Sequence, residues 1–172
     1  MLQLKVIDTA DVPAVLALQA ECYQPEFHES ADAFEAKVRA TRGLHCSFLA
    51  VQGGRMLGYV VSLPVDDDQL PGLDAPEWTP ARAPRTLYLH DLAVSPAGRE
   101  QRLGHKLVEQ VLRRARDMGL HQVALVAVQG SQGYWERLGF FEVQAPLGEG
   151  VQQKLETFGA DARLMRRTLV AA

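Results

Sequence analysis

Residues Leu87–Leu112 read LYLHDLAVSPAGREQRLGHKLVEQVL. The first part, up to Val94, is rich in leucine and valine and reads as a central strand. From Leu103 onward the apolar residues recur at helical spacing: Leu103, Leu107, Val111, Ala115 and Met118, widened by Val108 and Leu112. Gly119 closes that helix. Between strand and helix lies a polar turn holding Pro96, Gly98, Arg99, Arg102 and Gly104. The first N–H groups of a helix have no intrahelical acceptor, and its dipole favours negative charge there. Two arginines add forked donors suited to phosphate, and Gly104 lets backbone approach a ligand. The residues therefore admit two readings, a phosphate-binding turn at Gln101 to Gly104 or a solvated turn with surface arginines. Neither a Walker A sequence nor a GxGxxG dinucleotide motif is present.

The rest of the chain surrounds this unit with short elements. Leu2, Leu4 and Val6 alternate with polar residues as a strand. Thr9 is the expected N-cap of a helix carrying Pro13 early and Val12, Val15, Leu16 and Leu18 on its apolar side. A second helix is expected from Ala31 to Thr41, with Phe34 and Val38 four apart. CSFLAVQGGRMLGYVVSL, from Cys46 to Leu63, reads as a hairpin about Gly53-Gly54. QVALVAV is an apolar strand, and a short helix from Gln132 to Leu138 ends at Gly139. FFEV, a helical segment near Val151 to Phe158 and a last strand, ARLMRRTLV, follow. Pro64 to Pro84, with Pro71, Gly72, Pro76, Pro80 and the acidic run Asp66-Asp67-Asp68, is long for a connection and reads as a binding loop or an unstructured one, which Trp78 would anchor. The expectation is one mixed α/β (α+β) domain over residues 1–172, with an insertion at 64–84.

Charge and composition narrow the function classes. The net charge is -3 and no basic tract appears, which argues against nucleic acid as a partner. Cys22 and Cys46 form no close motif and read as two buried thiols in a reducing compartment, with a disulfide or a catalytic thiol as the alternatives. No signal peptide and no run of apolar residues long enough for a membrane span is seen, so a cytoplasmic protein without membrane attachment is expected. His28, His45, His105 and His121 show no metal-ligand spacing, and no metal is expected.

The stretch quoted above resembles the coenzyme A-binding segment of the GCN5-related N-acetyltransferase (GNAT) superfamily. Val94, Pro96, Arg99 and Gly104 occupy matching positions, whereas Arg102 replaces the first motif glycine and Glu100 stands where glycine is also frequent. LVAVQGSQGYWERLGFFEV is similar to the later family segment, with Tyr134, Trp135, Glu136, Arg137, Leu138, Gly139 and Phe140 in line. FGADARLMRRTL resembles the closing strand, and the likeness spans nearly the whole chain outside the insertion. It implies a mostly antiparallel central sheet with splayed central strands and flanking helices. It further implies an acetyl-CoA-dependent N-acyltransferase that moves an acetyl group to a small-molecule or peptide primary amine, as a monomer or a homodimer. A CoA-binding or interaction domain without turnover, or another acyl group or acceptor, are the alternatives.

By the same resemblance, backbone groups near Leu92, Ala93 and Val94 hold the pantetheine arm. Gln101, Arg102, Leu103 and Gly104 meet the pyrophosphate, with Arg99 beside them. Arg102 is expected in locally helical backbone, its side chain outward or on a CoA phosphate; the other reading is an altered cofactor site. The family often places a tyrosine acid where this chain has Trp135, which then packs against cofactor or core. Amine attack needs a proton acceptor near neutrality. In a regular strand Tyr88, His90 and Leu92 share one side, and Asp91 faces the other unless a bulge intervenes. His90 is the candidate base, with Tyr88 behind it and a structural or substrate-positioning histidine as the alternative. Tyr134 is the candidate acid, or a core-edge tyrosine. Tyr23, Phe27 and His28, near Glu21 at the first helical junction, and Asp67 of the acidic run are candidate acceptor contacts.

Overall fold

The computed structural model describes residues 1–67, 69–75 and 77–169; Asp68, Pro76 and Val170, which enter the sequence expectations above, lie outside them. Strand β1 (Gln3–Val6) leads into a 3-10 turn, Thr9–Asp11, whose N-cap is Asp8 rather than Thr9: Asp8 and Asp11 cap each other's backbone reciprocally. Helix α1 (Val12–Cys22) follows, with Pro13 in its first turn where a missing N–H costs nothing. Helix α2 (Ala31–Ala40) is capped by the Ser30 hydroxyl, which accepts from Ala33 N. Strands β2 (Phe48–Gln52) and β3 (Arg55–Val65) form the expected hairpin; Gly53 and Gly54 both have positive φ, 58° and 75°, as the favoured two-residue turn demands. After the long loop come β4 (Thr86–Val94), α3 (Pro96–Glu100) and α4 (Leu103–Asp117). Next are β5 (Gln122–Ala127), α5 (Gln132–Arg137), β6 (Phe141–Glu142), α6 (Glu149–Glu156) and β7 (Arg163–Thr168).

The strands form one sheet in the order β1-β2-β3-β4-β5-β7-β6. All neighbours are antiparallel except β4 and β5. That parallel pair is hydrogen-bonded only where Thr86–Leu89 faces Gln122–Leu125; β4 then continues to Val94 and β5 to Ala127 without partners in each other. The sheet is thus split at its centre, as the resemblance implied. One face is covered by α4, whose Leu103, Leu107, Val108, Val111, Leu112 and Ala115 pack on Leu87, Leu89, Val123 and Leu125. The other face carries α1 and α2 over Leu49, Tyr59, Val61 and Ala93, and α6 over Leu63, Val65 and Tyr88.

Register is irregular at one position that matters. Val61 opposes Asp91 while Ser62 opposes Leu89, so His90 is an extra residue, a β-bulge in β4. The bulge turns the expected parity over. Asp91 lies on the same face as Tyr88 and His90, and Leu92 packs on the α4 side instead. The long loop is tied down by buried Leu70 and by Trp78, which packs on the α6 cluster. No helix among the described residues is long and apolar enough to cross a membrane.

Candidate active site

Where β4 and β5 part, a cleft of about 660 Å³ opens. Ser95 N donates to Leu57 O at 2.8 Å, so strand alternation turns the backbone groups of Val94 and Leu92 away from β3 and into the opening. Those of Ala93 point the other way, into the β3 ladder. The inward carbonyls have side-chain donors. Leu92 O accepts from the Tyr23 hydroxyl at 2.5 Å, and Val94 O from Arg99 Nε at 3.1 Å and the Cys22 thiol at 3.4 Å.

The turn after β4 is built by close packing. Ser95 Oγ accepts from Gly98 N at 3.2 Å and starts α3. A Cβ on Gly98 would stand 2.8 Å from Val94 Cγ1 and 2.9 Å from the Leu57 carbonyl, so only glycine fits. Gln101 N and Arg102 N close on Gly98 O and Arg99 O, which removes both from the free donors the sequence suggested. Arg102 is not helical in the ordinary sense. It sits at φ 55°, ψ 36°, in the left-handed region, as the N-cap of α4. The first intrahelical bond of α4 runs from Lys106 N to Arg102 O, leaving Leu103, Gly104 and His105 N–H without helical acceptors. The expected set thus loses Gln101 and Arg102 and gains His105. A Cβ on Gly104 would stand 2.6 Å from the Tyr134 hydroxyl, so the glycine leaves room for that hydroxyl on the floor of the cleft. Arg99, Arg102 and Arg137 line this end, and their charge adds to the helix terminus. Leu103 contributes backbone only, its side chain being fully buried, and the Gln101 amide bonds Gln52 outside the cleft. Trp135 walls the cleft, edge-on to Phe140 (centroids 5.6 Å, 75°) and to Tyr134 (5.0 Å, 78°).

The other end holds the bulge and a buried polar cluster. Glu29, just before the cap of α2, lies against His90: Oε1 is 2.6 Å from His90 Nε2. Its Oε2 accepts from Lys37 Nζ at 3.2 Å and from Asp74 N of the long loop at 2.8 Å. Lys37 is wholly buried and also donates to Ala33 O and Ala75 O. Burial alone pushes the Glu29 carboxyl up, but the His90 ring, by charge and hydrogen bond, and Lys37 outweigh it and hold the group at about 2. Asp91, displaced onto this face, accepts from Tyr59 OH at 2.7 Å. Burial pushes it up to about 6 against the pull of that bond, with the Glu29 charge adding to the rise. Burial and Asp91 together hold the Tyr23 and Tyr59 phenols well above their ordinary value, so both remain donors.

The other sequence candidates divide between this cleft and its surroundings. Tyr23 and Phe27 line it, their rings 6.5 Å apart. His28 sits behind them, its Nε2 2.7 Å from Tyr23 O. Tyr88 is buried beside His90 (ring centroids 5.9 Å) and does not line the cleft. Asp67 is at the far end of β4, where its carboxylate accepts from Thr86 Oγ1 at 3.0 Å and from the Gln122 amide at 3.4 Å, clamping the loop. Tyr134 lines the cleft at its arginine end, over Gly104. Glu29 and Lys37 were not legible in the sequence: Glu29 falls in an irregular joint 61 residues from its partner. Among the described residues no group of three or more His, Cys, Asp or Glu is placed to hold a metal ion.

Comparison with known proteins gives a family-level match. The acetyltransferase (GNAT) family is matched over residues 12–140. No curated protein matches the sequence. Among solved structures, the loading GNATL domain of CurA from Lyngbya majuscula is similar with a TM-score of 0.76 at 13% identity, over 98% of each chain. The ribosomal-protein-S18-alanine N-acetyltransferase from Escherichia coli gives 0.68 at 18% identity, over 100% of this chain and 96% of that one. The GNAT-like decarboxylase GphF, in complex with isobutyryl-CoA, gives 0.68 at 18% identity, over 98% and 100%. At these identities the likeness is one of fold.

Proposed function

This chain belongs to the acetyltransferase (GNAT) family, and from that premise we propose that it transfers an acetyl group from acetyl-CoA to a primary amine by direct attack. The observation that carries the proposal is the split sheet running into the α4 N-terminus. The unpaired N–H groups of the α4 N-terminus and the guanidinium groups of Arg99, Arg102 and Arg137 converge there on one cleft. This donor set fits a phosphorylated cofactor, with a helix N-terminus and guanidinium forks for its anions and exposed strand backbone for an amide-bearing arm. Acetyl-CoA, when bound, supplies an activated acetyl thioester.

The chain's residues supply the rest. Leu92 and Val94 direct backbone groups into the opening. Charge is divided along the cleft, with arginines at the α3–α5 end and the carboxylates of Glu29 and Asp91 at the bulge. A cationic amine is drawn to the second end. His90 takes its proton there, so that the amine attacks with a free lone pair. In this reading Tyr134, whose hydroxyl lies against Gly104 at the arginine end, touches the cofactor arm. A thiol of ordinary pKa near 8.5 leaves without a dedicated acid.

A second reading has one observation in its favour. Trp135 stands where the family tyrosine acid is expected, and indole cannot donate that proton. Turnover with another acyl group or acceptor, or cofactor binding alone, would accommodate it. Titration calorimetry with acetyl-CoA, followed by a free-thiol assay across small amines and N-terminal peptides, separates these. Binding with amine-dependent thiol release supports acetyl transfer. Binding without release on any amine points to the second reading, and absence of binding removes the cofactor assignment.

A further inference from the structure

We propose that Glu29 is the positioning residue for His90: it fixes the imidazole as the Nε2–H tautomer and thereby presents Nδ1 to the cleft as the proton acceptor. The role of His90 rests on the acetyl-transfer reading, but the tautomer can be observed without turnover.

Glu29 is buried against His90. Its side chain is 2% exposed, and that of His90 is 1% exposed. An ionised carboxylate only accepts hydrogen bonds. Glu29 is held ionised by the His90 ring itself, by Lys37 and by the Asp74 N–H, so the 2.6 Å contact requires the proton on His90 Nε2. A neutral imidazole with Nε2–H carries its lone pair on Nδ1. Among the described residues His90 Nδ1 has no hydrogen-bond partner, although it is buried. Buried polar atoms are normally paired, so an unpaired acceptor on a residue lining a cleft marks the place for a ligand donor. The bulge is what brings the ring there, since it inserts His90 between Leu89 and Asp91.

Glu29 is itself over-determined. Its backbone N and O bond the Gln19 amide at 2.9 and 3.0 Å. Lys37 pairs with Oε2 and leaves Oε1 to the ring. The other titratable groups around the ring are Tyr88 of β4, Asp91, and the Tyr23 and Tyr59 phenols bonded near Asp91. During transfer an N–H bond of the amine breaks and its electron pair stays on that nitrogen. The Nδ1–H bond forms, and the imidazolium keeps Nε2–H on Glu29. The long loop enters the same network through Asp74 N and Ala75 O.

The direct test is ¹⁵N NMR of the imidazole in the full chain at neutral to mildly alkaline pH, with His90 assigned by His90→Gln. The expected result is a protonated Nε2 and an unprotonated Nδ1; a protonated Nδ1 in the neutral ring overturns the proposal. In Glu29→Gln the tautomers should mix. kcat should fall at least about tenfold while the KM for acetyl-CoA stays within about threefold. A Glu29→Gln variant with the native tautomer and the native kcat also overturns the proposal. If Glu29→Gln fails to fold, Glu29→Gln with Lys37→Met removes both charges and takes the same readouts. Absence of turnover in the native protein would fail the acetyl-transfer reading alone, and the native spectrum would still decide the tautomer.

Discussion

Arg102 gives the sharpest test of how the turn works, because its backbone and its side chain make separable predictions. The residue sits at φ 55°, ψ 36°, where an L-residue loses about 1–2 kcal/mol relative to ordinary helical backbone. Arg102→Gly relieves that strain. Glycine also adds freedom to the unfolded chain, which costs about 0.4–1 kcal/mol. The net expectation is a gain of about 0.5–1 kcal/mol, or roughly 1–4 °C in Tm for a chain of this length. No cap is lost, because the Arg102 side chain makes no capping bond. Arg102→Ala keeps the Cβ and therefore the strain, so its Tm should stay within about 1 °C of native. Both variants remove a guanidinium from the cleft and should weaken acetyl-CoA about threefold to tenfold, a deficit that shrinks as salt is raised. Calorimetric unfolding and acetyl-CoA titration of the three proteins check both halves. Equal Tm values for the glycine and alanine variants would refute the strain argument. Native affinity in the alanine variant would refute a cofactor contact by the side chain.

The two turn glycines should respond differently to alanine. In Gly98→Ala the new Cβ meets Val94 and the Leu57 carbonyl at 2.8 and 2.9 Å, neither able to swing away, and a loss of about 2–3 kcal/mol is expected by urea unfolding. In Gly104→Ala it meets only the tip of the half-exposed Tyr134; stability should fall by less than about 1 kcal/mol while acetyl-CoA affinity drops about tenfold or more. Asp91 has its folded value raised from 3.8 to about 6, so its ionisation opposes folding: the penalty is absent below about pH 3.8 and complete above about pH 6. Asp91→Asn, which can still accept from Tyr59, should therefore raise the urea midpoint at pH 7 and leave it unchanged near pH 3.5. Glu29 has the opposite sign, its value lowered from 4.5 to about 2, so its contribution is present above about pH 4.5 and fades as pH falls towards 2. In Glu29→Gln with Lys37→Met, the part of the native stability loss between those limits should disappear from the pH–midpoint curve.

The elements were legible wherever local rules decide them. The α4 stripe from Leu103 to Ala115, the Gly53-Gly54 hairpin and the Ala31 start of α2 all follow from periodicity and turn chemistry, and the structure has them. The split between β4 and β5 came from resemblance, since nothing in either strand's composition says where pairing stops. The misplaced features are those set by distant partners. Strand alternation put Asp91 opposite His90, but the bulge is defined against β3 and has no local signature. Arg102 looked tolerable in a helix because its residue type hides the backbone; a glycine there would have announced positive φ. Asp67 looked like a recruiter of cationic amines, yet its partners are Thr86 and Gln122 at the far end of the strand. Glu29 had no signal at all, since its meaning depends on His90, Lys37 and Asp74 arriving from three other segments.

The two cysteines, which looked equivalent in the sequence, differ once the chain is folded. Cys46 is fully buried, with its thiol on Ser62 O, whereas Cys22 lines the cleft with its thiol on Val94 O, beside the arginine end. Burial raises the Cys22 thiol, so it is a slow nucleophile rather than a hot one. The protein thus carries a natural chemical reporter inside its own cleft and a silent thiol elsewhere. A maleimide should mark Cys22 in the folded chain and both positions after denaturation. Any compound that fills the opened strand edge should shield that mark, so occupancy can be followed by mass alone, before an acceptor is in hand.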